Sequence, residues 1–250
     1  MHRSASRLTR ILVCAAVPVM LAVSGCSSDS GDSSGKDSTS GKDGKDSSAA
    51  TSSADPAPAE PSKTVEPAKF AKLPSACKAV TPKTIEDLVP GTKSKGGTAG
   101  KSSDVMSRAS CAWNGLDDKG VKGSQYRWLD VSLLRYDSET GLGISGEQRA
   151  RDAYAKEVTK AQTTAGAKNI RNSPAGGVGD EAKAVGFELK KTGEDFTYAT
   201  IVTRTANVVI TLTFNGTGYA GAQPPPASGL VEGAVAAAKE AVASVPAANN

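Results

Sequence analysis

The segments KAVGFELKK (183–191), FTYATIVTR (196–204) and NVVITLTFN (207–215) follow one another almost without interruption. In the third, Val208, Ile210, Leu212 and Phe214 share one parity while Thr211 and Thr213 take the other. That period-two alternation is the signature of a strand with one face toward a core. A hairpin turn must fall at Lys191-Thr192-Gly193, between the first two segments. Three consecutive strands therefore form the centre from which the rest of the fold is read.

Upstream, Tyr126–Tyr136 alternates in the same way, with Leu129, Val131 and Leu133 on one face and Asp130 and Ser132 opposing them. A further strand is expected through Cys111-Ala112-Trp113, turned by Asn114-Gly115. Asn169–Asn172 reads as a short strand, residues 92–103 as a loop, and Gly176–Glu181 as a tight glycine-rich connection. Three helices complete the set. Thr81-Pro82 reads as an N-cap followed by proline at the first helical position, with Pro90-Gly91 as the stop. Ser145 and Gln148 form an S-x-x-Q capping box ahead of Ala150, Ala153, Tyr154, Val158 and Ala161, and Gly166 suits the far end. After Pro224–Pro226, the spacing of Leu230, Val231, Ala234, Val235, Ala238, Val242 and Val245 predicts a terminal amphipathic helix. Strands and helices come in runs without strict alternation. The expected class is α+β, an antiparallel sheet with helices packed on one face.

All eleven aromatic residues lie at or after Phe70, so a single globular domain is expected over residues 70–250. The preceding chain has another character. Residues 1–25 carry Arg3, Arg7 and Arg10 with no acid, then an apolar run from Ile11 to Val23, the pattern of a secretory signal peptide. Val23-Ser24-Gly25-Cys26 resembles a bacterial lipobox, which implies cleavage before Cys26 and lipidation of its thiol. Residues 27–69 are built from Ser, Gly, Asp, Lys, Ala and Pro, too polar to bury a core, and read as a disordered tether. Such a tether has an r.m.s. span of roughly 35 Å. The expected location is the outer face of the cell membrane, with the lipid anchor as the membrane contact.

Of the four cysteines, Cys14 leaves with the signal and Cys26 takes the lipid. Cys77 and Cys111 remain in an oxidising compartment and are expected to form one disulfide. The single histidine, His2, lies in the signal. The mature chain thus lacks the usual general base near neutral pH, which excludes Ser-His-Asp and Cys-His catalysis and histidine-ligated metals. No catalytic residue, metal ligand or cofactor is assigned. The formal net charge of +4 includes the three signal arginines, and no Lys/Arg block interleaves with aromatics, so nucleic acid is not an expected partner.

Three motif matches are discounted. Gly141-x-Gly143-x-x-Gly146 lacks the downstream strand and acid of a dinucleotide site. Ser75-x-x-Lys78 and Lys191-Thr192-Gly193 evoke penicillin-recognising enzymes, but no S-x-N element accompanies them. The acidic pairs Asp117-Asp118, Asp180-Glu181 and Glu194-Asp195 read as solvated turns. Tyr126, Trp128 and Tyr136 share one parity; core packing is the first explanation for them, and they are the candidates for the wall of a ligand groove.

Taken together, Leu73-Pro74-Ser75-Ala76-Cys77, Cys111-Ala112-Trp113 and Gly177-Val178-Gly179-Asp180-Glu181-Ala182 resemble a family of actinobacterial envelope lipoproteins of unknown function. They are similar also to mycobacterial LpqN-type lipoproteins and to the extracellular sensor domains of actinobacterial serine/threonine kinases. The resemblance implies an α+β sandwich with a Cys77–Cys111 bond and a role in binding something in the envelope; it supplies no catalytic residues. The leading expectation is a non-enzymatic binding module for an envelope ligand or partner. An accessory lipoprotein of a membrane complex comes second, and a carboxylate-based hydrolase third.

Overall fold

A computed structural model describes residues 64–250. The expected signal peptide, Cys26 and the expected tether up to residue 63 lie outside the described residues. Strands β5 (Glu181–Lys191), β6 (Glu194–Thr205) and β7 (Val208–Tyr219) form the expected meander. Thr192 and Gly193 both take positive φ in the two-residue turn between β5 and β6, the backbone hand that matches strand twist in a tight hairpin.

The other elements are α1 (Pro82–Leu88), β1 (Thr98–Ala99), β2 (Arg108–Asp118), β3 (Ser124–Arg135), α2 (Gly146–Gln162), β4 (Lys168–Pro174) and α3 (Ala227–Ala247). All strands join one antiparallel sheet in the order β1-β2-β3-β7-β6-β5-β4. The α+β class, the antiparallel sheet and the single disulfide agree with the sequence reading.

The caps follow their residues. Thr81 accepts a hydrogen bond from the Thr84 amide, and Pro82 opens α1. Ser145 Oγ accepts from the Gln148 amide at 3.1 Å, so the serine half of the capping box forms. The Gln148 side chain turns instead to Asp152 at 2.9 Å. Helix α2 ends at Gln162, and Gly166, at φ +76°, closes the turn beyond it.

Two expectations are corrected. Asn114-Gly115 is not a turn: β2 runs through it to Asp118, and the reversal comes at residues 119–123. A Cβ on Gly115 would stand 2.3 Å from the Pro90 carbonyl oxygen, so this glycine is there to let another segment cross the strand. Second, the helices do not share one face. Helix α3 packs its Leu230, Ala234, Ala238, Ala241 and Val245 against Ala199, Ile201, Ile210 and Leu212. Helix α2 sets Ala150 against Val202 and Val209, residues of opposite parity. The sheet is thus buried on both faces at β6 and β7, which removes the clean apolar/polar alternation at that point.

The α3 face holds the main core, where Leu129, Val131, Leu133, Cys111 and Trp113 join the α3 contacts and Ile85 and Val89. The small residues of α3 permit close approach: a Cβ on Gly233 would meet Leu88 at 2.6 Å. Truncating a fully buried side chain such as Ile210 to alanine in a core of this kind costs roughly 2–5 kcal/mol. The Cys77–Cys111 disulfide, with a Cα separation of 5.0 Å, ties the segment before α1 to β2.

Candidate binding cleft

Helix α2 covers only part of its sheet face. It packs over β5, β6 and β7, and β3 lies beyond its edge. The uncovered strip is a cleft of about 480 Å³. Its floor is Asp130 and Ser132 of β3, Thr211 and Thr213 of β7, and Tyr198 and Thr200 of β6. Glu157 and Lys160 of α2, with Thr164 just beyond its end, form one wall, and Arg108 and Leu134 close one end.

The register explains this surface. Asp130 pairs with Thr213, and Thr213 with Thr200, giving a row of one carboxylate and two hydroxyls across three strands. The next row runs Trp128, Asn215, Tyr198, Phe187. One residue row is polar and charged, and its neighbour is largely aromatic. Tyr198 and Phe187 stack with centroids 4.9 Å apart and planes 5° from parallel. The Thr200 and Thr213 hydroxyls lie 3.5 Å apart.

Asp130 is the exceptional member. It is partly buried, and among the described residues its carboxylate has neither an ion-pair nor a hydrogen-bond partner. Burial alone pushes its carboxyl above the ordinary aspartate range. Burial also raises the Tyr198 phenol, with a smaller contribution from Tyr126. On the facing wall Glu157 is ion-paired with Lys160 at 3.4 Å. The cleft thus offers hydroxyl donors and acceptors, aromatic faces and one uncompensated negative charge.

Of the residues singled out from sequence, Tyr126 and Trp128 stand on the same sheet face as Asp130 but do not line the cleft. Trp128 is 38% exposed, and Lys191 Nζ lies 5.9 Å from its ring centroid. Tyr126 meets Phe196 edge-on at 6.3 Å. Tyr136 is separated from them: it packs with Val202, Val209 and Ala150 under α2, with the Arg149 guanidinium 5.7 Å from its ring. The same face thus brings Tyr126 and Trp128 together with Tyr198 and Asp130, and gives Tyr136 a packing role. The shared parity of Trp128 and Asp130 was readable in the sequence; the solitude of the carboxylate was not.

A second cluster surrounds Arg204, whose side chain is 6% exposed. Its Nε meets Glu181 Oε1 at 2.5 Å, and its Nη1 lies 3.1 Å from Asp180 and 3.5 Å from Glu147. The same Nη1 donates to the Ala206 carbonyl at 2.7 Å. Asp180 in turn accepts the Ala206 amide at 2.6 Å, holding that residue at φ +47°. Asp180-Glu181 is therefore not a solvated turn pair, as expected from sequence; it compensates a buried arginine. Gly179 belongs to the same device, since a Cβ there would stand 2.4 Å from the Arg204 carbonyl oxygen. The buried guanidinium thus finds its partners within the cluster.

Gly146 opens α2 where a Cβ would meet the Tyr136 carbonyl oxygen at 2.4 Å, a packing reason for the last glycine of the G-x-G-x-x-G match. Among the described residues no group of three or more His, Cys, Asp or Glu side chains converges as a metal site. Nor is any described helix long and apolar enough to cross a membrane.

No protein-family model matches the chain, and no curated protein does. Among solved structures the chain is similar to LpqN, involved in cell envelope biogenesis of Mycobacterium tuberculosis, at 18% identity and a TM-score of 0.29. The match covers 49% of this chain and 65% of that one, so the chain spans just under two thirds of that protein's length.

Proposed function

We propose that this chain is a membrane-anchored, extracytoplasmic lipoprotein whose domain is a non-enzymatic binding module, receiving a small polar ligand of the envelope in the cleft beside α2. The observation that carries this reading is the unpaired Asp130 carboxylate on a cleft floor of hydroxyls and aromatic rings. An uncompensated, partly desolvated charge costs stability, and such groups cluster where a ligand supplies the missing partner. The disulfide fits an oxidising compartment, and the basic, apolar leader ending in Cys26 fits export and lipidation. The cleft contains no nucleophile held by a base and oriented by a third group, the arrangement covalent catalysis needs.

The test is retention of envelope components by the purified chain, compared with a variant whose cleft is filled by Thr213→Trp. Retention by the wild type and loss in the filled variant supports the module. Equal retention by both, or none by either, removes the cleft from the reading.

A second reading, an accessory lipoprotein of a membrane complex, draws on β4. All seven of its residues are exposed, and as an edge strand it presents unpaired backbone groups to which another chain could add a strand. Co-purification with membrane proteins that is lost on Asn172→Pro, and unaffected by Thr213→Trp, favours this reading over the first.

A further inference from the structure

Resting on the reading of the cleft as a ligand site, we infer that it selects a polar ligand carrying an ammonium group, and that Asp130 is the residue that holds the ammonium. Asp130 is the floor's sole carboxylate, and no cation of the described chain lies within ion-pair distance of it. Lys160 is engaged by Glu157, and Arg108 stands opposite Leu134, two residue rows away along the same face. The charge therefore has to be met from outside the chain.

The aromatic row points to the same sign of charge. Trp128 adjoins Asp130 on the same strand face, and Tyr198 lines the cleft one row over. Aromatic faces attract cations through the ring quadrupole. The chain's own Lys191 ammonium already lies 5.9 Å from the Trp128 centroid. The hydroxyls of Ser132, Thr200 and Thr213 can exchange hydrogen bonds with ligand hydroxyl or amide groups beside the ammonium. A carboxylate or phosphate placed over Asp130 would meet like charge in a partly desolvated setting, which disfavours anions there. An amino sugar and the amine of a diamino-acid side chain in a wall peptide share this chemistry.

The experiment is calorimetric titration of the full-length chain in detergent with glucosamine, N-acetylglucosamine and lysine amide at neutral pH. The expected result is binding of one or both amines. N-acetylation of the sugar, which removes the charge, weakens binding at least tenfold. Asp130→Asn also weakens amine binding at least tenfold, with the far-ultraviolet circular dichroism unchanged. Preference for glucosamine assigns a saccharide source, and preference for lysine amide a peptide source; both support the inference. Equal affinity for amine and N-acetyl forms, equal affinity of wild type and Asp130→Asn, or no binding of either amine overturns it.

Should Asp130→Asn fail to fold, the wild type supplies the control. Amine affinity must fall as the pH is lowered through the raised Asp130 pKa, and an unchanged affinity overturns the inference. The other titratable or charged groups facing the cleft are Arg108, Glu157, Lys160 and Tyr198. These outcomes are separate from failure of the cleft reading itself, which is decided by retention in wild type against Thr213→Trp.

Discussion

The side-chain amide of Asn207 pairs with the backbone of Phe70 as a neighbouring strand would: Asn207 Oδ1 accepts the Phe70 amide at 2.8 Å, and its Nδ2 donates to the Phe70 carbonyl at 2.9 Å. The same Nδ2 donates to the Tyr136 carbonyl at 2.9 Å. Asn207 is wholly buried, and Phe70 is a core residue at 6% exposure. Asn249 holds the next two residues, accepting the Ala71 and Lys72 amides at 3.0 Å each. Two asparagines thus hold the segment Phe70–Lys72 that precedes α1.

Asn207→Ala leaves the Phe70 amide and the Phe70 and Tyr136 carbonyls without these partners. Each buried polar group left unsatisfied costs about 1–3 kcal/mol. The expected loss is about 3 kcal/mol in denaturant unfolding, with earlier proteolytic cleavage near Phe70. Asn249→Ala, which acts at a half-buried position, should cost about 1 kcal/mol. Equal effects of the two substitutions would remove the special role of Asn207.

Arg204 shows what happens when one partner of a buried cluster is withdrawn. Arg204→Ala strands Asp180 and Glu181 and releases the Ala206 carbonyl. Breaking a buried pair by deleting one member costs about 3–5 kcal/mol. The carboxylates here are partly exposed, so the lower end, about 3 kcal/mol, is expected. Arg204→Lys should recover part of the loss, since an ammonium can meet one carboxylate but cannot reproduce the fork. Thermal unfolding of the two variants side by side measures the difference.

The disulfide and the loop above it form one unit. Trp113 Nε1 donates to the Lys95 carbonyl at 3.1 Å, and Gly97, at φ +71°, sits so close that a Cβ would be 2.5 Å from Cys111 Sγ and 2.6 Å from the Trp113 ring. The bond spans 34 residues, and closing a loop of that length stabilises by about 3–4 kcal/mol in the chain-entropy model. Reduction should lower stability by that amount. Gly97→Ala should cost about 2 kcal/mol with the bond intact, because both its conformation and its space are denied to alanine. A silent Gly97→Ala in the denaturation midpoint would mean that the loop does not hold Trp113 in place.

Which of these features the sequence disclosed follows from the range of the forces involved. Local signals carried the β5–β6 hairpin at Thr192-Gly193, the Ser145 cap and the period of α3, because each is decided within a few residues. Asn114-Gly115 misled for the complementary reason: its turn chemistry is local, whereas Gly115 answers to Pro90, which crosses it from elsewhere in the chain. The second helical face had a signal of its own, since Ile201-Val202 and Val208-Val209-Ile210 are apolar at both parities. Such runs mark strands buried on both faces. Arg204 gave no local hint, because its partners Glu181 and Glu147 lie 23 and 57 positions away. Asp130 reads as an ordinary outward-facing acid until the neighbouring strands show that nothing meets it.

That unmet carboxylate predicts a pH dependence of definite sign. Burial raises the Asp130 pKa in the folded state above its unfolded value, so the folded state binds more protons than the unfolded state between those two values. Stability contributed by this group therefore falls as pH rises through the window and is lowest above the raised pKa. Asp130→Asn removes the ionisation while keeping the shape. Without a bound ligand, the variant should be more stable than the wild type at neutral pH, and the gap should close as the pH falls to the ordinary aspartate value. The check is the difference in melting temperature between the two proteins across that range, which cancels contributions of the other carboxylates, Glu157 of the facing wall among them. A variant less stable than wild type at neutral pH would mean that the charge is already compensated within the fold, and the cleft would lose its reason to bind a cation.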